Sequence, residues 1–485
     1  MNVSTIIDRM NTGLYINGSW CEAENSATFE VTNPATGKVL ATVADGSGSD
    51  SHKAIDVAGR TQKSWAATPP RERGEVLRRA FELLMERQEE IATIMTAEMG
   101  KPLAESRGEV AYGAEFFRWF SEEAVRIDGD FTLSADGKNR TMVSREPVGP
   151  CILITPWNFP LAMGTRKIGP AIAAGCTMVF KPAKLTPLTS LLLVQALEDA
   201  GLPPGVLNVV TSSSASRVVN PWMESGIARK VTFTGSTEVG IGLLEQAARS
   251  VMKPSMELGG NAPFIVCADA DLDKAVAGAM QAKMRNIGEA CTAANRFFVH
   301  SSLAEEFARR LAEKMGALAI GDGLAEDTQV GPLIEEKAVE KIVRLVDEAV
   351  DKGARVLTGG QRVEGDGFFY APTVMTDISE DCSLRKEEIF GPVAPIIPFE
   401  TDDEAIEQAN ATDFGLAGYI YTENLSRGLK LSEELECGMI GLNAGVVSNP
   451  ASPFGGVKQS GLGREGGKVG IEEFLEIKYI STPRA

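Results

Sequence analysis

The sequence predicts an α/β protein made of two doubly wound α/β units and a β arm. Three observations point there. The length, 485 residues, exceeds what one small core organises and fits two to three domains. The segments CILIT, CTMVF, VLNVV and VTFT are short, apolar and β-branched, and they end at residues 155, 180, 210 and 234. Helical patterns such as LTSLLLVQALEDAG fill the gaps, which is the rhythm of a buried parallel sheet with helices on its faces. A second alternation starts near FIVCA (264–268) and runs to about Gly441.

The other elements follow in chain order. LYINGSW and TFEVTNPATGKVLATV (14–43) read as short strands, with Asn17-Gly18 as a hairpin turn. A helical pattern takes over at Ser49. The stretch EVLRRAFELLMERQEEIATIMTAEMG reads as a helix with Val76, Leu77, Ala80, Leu84 and Ile91 near one face and Gly100 as its stop. A further helix runs through EVAYGAEFFRWFSEEAVRI. Residues 130–147 look extended, as a hairpin or an arm. The tail GIEEFLEIKYIST ends in a strand-like piece suited to pairing with another chain.

Composition narrows the function. Hydrophobic residues make up 44% and charged residues 24%, ordinary for a globular protein. The net charge of -18 repels phosphate backbones and anionic membranes, so no nucleic-acid or membrane partner is expected. The N-terminus lacks a basic flank followed by an apolar core, and no apolar run is long enough to span a bilayer. Seven scattered cysteines, an odd number, argue against a disulfide framework and for a reducing cytoplasm. Two histidines, His52 and His300, and no CxxC or HxxxH spacing leave no basis for a metal site.

Other groups must therefore carry the chemistry. In the first α/β unit, FTGSTEVG lets Gly235 bring the backbone close to a ligand, while Ser236 and a helix N-terminus meet a phosphate. Alone, Gly-Ser-Thr before a helix is more often a cap. Lys181 in FKPAKLTP ends a strand, although a single lysine there is usually a surface residue. Cys291, in MRNIGEACTAANRF, sits in a turn of small residues where a substrate can reach the sulfur. A thiolate there adds to a carbonyl, and the adduct passes hydride to a nicotinamide and leaves a thioester for water to cleave. Glu257 in MELGGNAP is a candidate base and Asn158 in ITPWNFP a candidate oxyanion donor.

Together TPWNFP, FKPA, FTGST, MELGG, the Cys291 segment, EEIFGPV and PFGGVKQSGLGRE resemble the aldehyde dehydrogenase superfamily, in the family's order and over nearly the whole chain. The resemblance implies a dinucleotide-binding domain (1–125 and 148–255), a catalytic domain (256–446) and an oligomerisation arm (126–147 and 468–485), in a homodimer or homotetramer. It implies Cys291 as nucleophile, Glu257 as activator of the deacylating water, and Asn158 with the Cys291 N–H as oxyanion hole. Lys181, Ser236, Gly235, Gly240, Glu388 and Phe390 would surround the coenzyme, with Thr155, Trp157 and Leu258 beside them.

Within the superfamily the chain is most similar to the succinate-semialdehyde branch, on Arg166 in LAMGTRK, Arg285 six residues before Cys291 and Ser448 before PFGG. That trio would grip a distal carboxylate, since guanidiniums offer paired donors. The plainer reading of both arginines is a helix-surface ion pair worth about 0–1 kcal/mol.

Three positions depart from the common pattern. Glu289 replaces a Gln two residues before the nucleophile; it would raise the thiol pKa if it pointed inward, and is expected to face away or make a structural contact. Ala293 stands where some relatives carry a second Cys, so no disulfide switch is expected at Cys291. Lys184 stands where NAD-preferring relatives often carry Glu, and an ammonium there welcomes a 2′-phosphate, so NADP is favoured over NAD. The expected reaction is oxidation of succinate semialdehyde. The alternatives are another ω-carboxy aldehyde such as glutarate semialdehyde, a non-catalytic protein on the same fold, or an acyl-CoA-forming oxidation, which Glu257 argues against.

Overall fold

The structure is a computed structural model that describes residues 2–484; Met1 and Ala485 lie outside the described residues. Two large sheets organise it. The first has eight strands in the spatial order Ser19–Cys21, Leu14–Ile16, Leu207–Val209, Met178–Lys181, Cys151–Ile154, Lys230–Thr234, Lys253–Glu257, Gly461–Leu462. The five central strands run parallel, and short antiparallel strands close both edges. Strand order reverses at Cys151–Ile154, whose neighbours lead off in opposite directions. In such sheets ligands bind at this switch point, beyond the carboxyl ends of the strands. The loops carrying Thr155–Asn158 and Gly235–Ser236 leave from there.

The second sheet has seven strands: Arg355–Thr358, Thr373–Thr376, Val393–Phe399, Ala294–His300, Ala262–Val266, Ala417–Tyr421 and Met439–Leu442. All pairs are parallel except the first. Its inner strands are almost wholly buried, which explains apolar runs such as APFIV and VAPII. A third sheet pairs Asp130–Leu133 with Asn139–Pro147, and that strand with Leu475–Pro483. The extended segments at 130–147 and in the tail thus pair with each other within the chain.

Local chemistry explains most element ends. Asn17 and Gly18 take φ of 55° and 76°, the left-handed pair a tight hairpin requires. Gly100 ends its helix at φ 99°. The long helical pattern over 75–100 is two helices, Pro70–Glu86 and Gln88–Met99, broken at Arg87 with φ -95° and ψ 16°. Val76, Leu77, Ala80, Leu84 and Ile91 are buried, so one apolar stripe crosses the break. Among the described residues no helix is long and apolar enough to cross a membrane.

Candidate active site

The site lies where the carboxyl edge of the first sheet meets the amino edge of the second. Glu257 ends a strand of the first; Cys291 precedes Ala294–His300 of the second. Gly259 and Gly260 join the two sheets. A Cβ on Gly260 would come within 2.4 Å of the Cys291 carbonyl oxygen, so the thiol-bearing turn packs directly on this glycine.

The turn before Cys291 is strained. Asn286, Ile287 and Gly288 take φ of 54°, 61° and 80°, and two of them carry side chains. Such backbone persists only where its surroundings hold it. Here a buried polar network does so. Glu105 Oε2 accepts from the Asn286 N–H at 2.6 Å. Asn286 Nδ2 donates to the carbonyls of Asn158 (3.0 Å) and Glu289 (2.8 Å). Lys101, paired with Glu109 at 2.5 Å, donates to the Asn158 carbonyl at 2.8 Å. Glu109 in turn accepts from the N–H groups of Leu161 and Ala162. The Asn158 loop and the Cys291 turn are thereby fixed against each other.

Asn158 is buried, and its Nδ2 donates to the Glu289 carbonyl at 2.9 Å, which leaves one amide hydrogen free. The Cys291 N–H makes no hydrogen bond among the described residues. The Glu289 carboxylate faces away from the thiol: Oε1 accepts from the Ile334 N–H at 3.2 Å.

Cys291 as a residue is partly exposed, yet the surroundings of its thiol dominate the acidity. Burial pushes Cys291 up to about 12, helped by Glu388 and Glu257 and opposed by Arg166 and Arg285. Glu257 is 3% exposed, and its Oε2 has no partner. Burial first, then the Glu465 carboxylate, hold it well above the carboxylate range; Arg166, Lys167 and Arg464 pull the other way. Glu465, also buried, is held low against its own burial by Lys167 and Arg166. Lys167 donates to Glu465 Oε1, and Arg166 Nη2 lies 2.7 Å from Oε2. Glu465 and Lys167 had no place in the sequence reading. The signals were Lys167 beside Arg166 in TRK and Glu465 closing the GLGRE segment.

The residues expected around a dinucleotide line the switch point and the seam below it. Thr155 presents a buried, unpartnered hydroxyl. Lys181 ends its strand and donates to the Pro182 carbonyl at 3.0 Å; burial, then the neighbouring Lys184 charge, pulls its ammonium down to about 8. Lys184 is exposed. Ser236 is exposed at the start of helix Thr237–Ala248 and leaves its first N–H groups uncapped. A Cβ on Gly240 would meet Leu258 Cδ2 at 2.4 Å, which explains that glycine as a helix–strand contact. The Leu258 N–H is spent on the Ser460 carbonyl. A Cβ on Gly235 would strike the Phe233 ring. Glu388 Oε1 accepts from the Gly260 N–H at 3.0 Å, and burial pushes its carboxyl up. Phe390, at φ 56°, packs edge-on against Trp157 with centroids 5.5 Å apart. A helix N-terminus, an unpaired hydroxyl and two lysines at a switch point fit a phosphate-bearing dinucleotide.

Of the three expected carboxylate-gripping residues, Arg285 and Ser448 meet: Arg285 Nη1 donates to Ser448 Oγ at 3.3 Å. The Arg285 guanidinium lies 5.0 Å from the Phe159 centroid and 5.5 Å from that of Tyr112, with no ion-pair partner among the described residues. Arg166 differs. It is 1% exposed, lies 3.8 Å over the Phe454 ring, and is paired with Glu465. It is no surface residue, and it reaches the site as part of the Glu257–Glu465–Lys167 cluster. Among the described residues no group of acidic, His or Cys side chains is placed to hold a metal.

Comparison with known proteins identifies the family. The profile described as "Aldehyde dehydrogenase family" matches residues 20–480. A succinate-semialdehyde dehydrogenase of Paenarthrobacter nicotinovorans is 58% identical over 442 residues, covering 91% of this chain and 98% of that protein. A glutarate-semialdehyde dehydrogenase of Pseudomonas putida is 50% identical over 466 residues, covering 96% of each. Among solved structures, an NADP-dependent enzyme of E. coli superimposes with a TM-score of 0.97 at 48% identity, over 99% of each chain. A succinate-semialdehyde dehydrogenase from Burkholderia pseudomallei gives 0.96 at 46%, over 98% of each.

Proposed function

The chain belongs to the aldehyde dehydrogenase family, and on that premise we propose that it oxidises an aldehyde carrying a distal carboxylate, succinate semialdehyde first, with NADP or NAD. The observation that carries the substrate class is Arg285. It is a guanidinium without an acidic partner, hydrogen-bonded to Ser448 and six residues from the nucleophile. A carboxylate is its natural complement.

In this reading Cys291, as thiolate, adds to the carbonyl carbon and forms a thiohemiacetal. The free Asn158 amide hydrogen and the Cys291 N–H receive the oxyanion. The bound coenzyme supplies a hydride acceptor and, through its cationic nicotinamide, a charge that favours the thiolate. Thr155, Lys181, Lys184 and the start of helix Thr237–Ala248 would hold its adenosine half. Trp157, Glu388 and Phe390 would hold the nicotinamide half. Loss of hydride from the adduct leaves a thioester on Cys291. Glu257 then takes a proton from water as the water oxygen attacks the thioester carbon; the C–S bond breaks, giving the acid and the Cys291 thiolate. Burial and the Glu465 charge raise the Glu257 pKa, which makes its carboxylate a stronger base toward water.

Lys184, exposed beside Lys181, supports NADP. Glutarate semialdehyde is the second substrate reading, supported by the Pseudomonas putida relative. One methylene is worth about 1–3 kcal/mol in a pocket, so overlap is expected. The same reading assigns coenzyme binding to 1–125 and 148–255, catalysis to 256–446, and assembly into a homodimer or homotetramer to 126–147 and 468–485. Phe131, Ile477 and Tyr479 expose 67%, 68% and 60% of their surface on that arm, which suits a second copy. Coenzyme reduction across succinate semialdehyde, glutarate semialdehyde and butanal, with both coenzymes, tests the proposal. Higher kcat/KM for the carboxylated aldehydes and for NADP is expected. A preference for butanal overturns the substrate class, and a strong NAD preference overturns the role of Lys184.

A further inference from the structure

We propose that the Tyr112 hydroxyl is a further specificity-determining group, donating to the distal carboxylate of the substrate alongside Arg285. The proposal rests on the ω-carboxy reading above and adds a residue to it.

Tyr112 belongs to helix Leu103–Glu123 and packs on the cluster of Phe159, Ala162, Met163, Ala290 and Ala293, the last two flanking Cys291. Its ring centre lies 5.5 Å from the Arg285 guanidinium. It also meets Phe116 edge-on at 5.1 Å, and Phe116 in turn faces the Arg166 guanidinium at 5.7 Å. Tyr112 therefore packs against Arg285 and against residues next to the nucleophile, one aromatic ring away from Arg166. Its hydroxyl is shut off from solvent and has no hydrogen-bond partner; Nε of Arg166 is in the same condition. Buried donors are ordinarily paired, and those left unpaired in a folded protein call for an explanation.

Three of the neighbouring carboxylates are already engaged. Glu465 is taken by Lys167 and Arg166, Glu109 by Lys101 and two backbone N–H groups, and Glu105 by the Asn286 N–H. No acceptor among the described residues reaches the Tyr112 hydroxyl. Beside Arg285, a guanidinium with no ion-pair partner among the described residues, the acceptor of matching charge is an anion. The phenol ring, clamped by aromatic and alanine neighbours, holds its hydroxyl in one place, so the group reads where the carboxylate ends as well as its charge.

Tyr112→Phe removes the oxygen and keeps the ring. Hydrogen bonds to charged groups are worth roughly 10-fold or more in affinity. The expected result is a KM for succinate semialdehyde raised about 10-fold or more, with kcat within about 2-fold and butanal kinetics unchanged. An equal loss on both aldehydes marks a packing role and overturns the proposal; so does no change on either. Arg285→Ala, assayed in parallel, separates the two levels of inference. If it erases the preference for the carboxylated aldehyde while Tyr112→Phe leaves that preference intact, only the role of Tyr112 falls. If Arg285→Ala also leaves it intact, the ω-carboxy reading falls with it.

Discussion

Replacing Glu465 by glutamine probes the charge cluster behind the site. Glu465 is 7% exposed, and the cations it serves, Arg166 and Lys167, have side chains 1% and 0% exposed. Glutamine keeps the shape and one acceptor but removes the charge. Breaking a buried pair by removing one partner costs about 3–5 kcal/mol, because the remaining charge is left without compensation. Two buried cations lose a counter-charge here, so the upper end of that range is expected. The site should respond as well. Glu465 raises the Glu257 pKa, whereas Arg166 and Lys167 lower it. With Glu465 neutral, the cations act on Glu257 unopposed, and its carboxyl ionises at lower pH. Urea unfolding followed by tryptophan fluorescence reads the first effect. The acidic limb of the kcat–pH profile, under conditions where deacylation limits turnover, reads the second, and it should move to lower pH. Unchanged stability, or a limb that moves to higher pH, would refute the reasoning.

Three further outcomes follow from the same geometry. In the coenzyme-free protein, burial holds the Cys291 thiol up to about 12, so the rate of inactivation by iodoacetamide should climb about tenfold per pH unit from about pH 7 to 9; a plateau within that range contradicts it. Gly260→Ala places a methyl 2.4 Å from the Cys291 carbonyl oxygen and displaces the nucleophile, so kcat should fall by about 100-fold while the chain still folds, as steady-state kinetics and circular dichroism would show. Lys184→Glu should shift the ratio of kcat/KM for NADP over NAD by about tenfold or more toward NAD, since a carboxylate repels a 2′-phosphate; an unchanged ratio means Lys184 does not meet the coenzyme.

Local features were the legible ones. The Asn17-Gly18 turn, the stop at Gly100 and the four apolar strands of the first unit depend on neighbouring residues, and each lies within two residues of where the pattern puts it. The break at Arg87 was hidden because the apolar stripe continues across it and no Gly or Pro marks it. Strand order was not legible, since it depends on crossovers that periodicity does not record. The same holds at the site. Cys291, Glu257 and Asn158 stand out as residue types in short segments. Lys167 and Glu465 become partners only because the fold brings together residues 298 apart in sequence. Arg166 reads as a surface helix residue or a substrate clamp until its pairing with Glu465 is seen. Tyr112 gives no signal at all in one sequence, because an aromatic in a helix is ordinarily core.

The central claim is that Cys291 carries the substrate as a thioester that Glu257 helps water to cleave. A general base of this kind contributes about 100- to 10,000-fold. Glu257→Gln should therefore still reduce coenzyme in a first turnover and then stall. Rapid quenching with succinate semialdehyde and coenzyme, followed by peptide mass spectrometry, should find the acyl group on the peptide that contains Cys291. No adduct there, or an adduct on another residue of an active Glu257→Gln enzyme, would contradict the account.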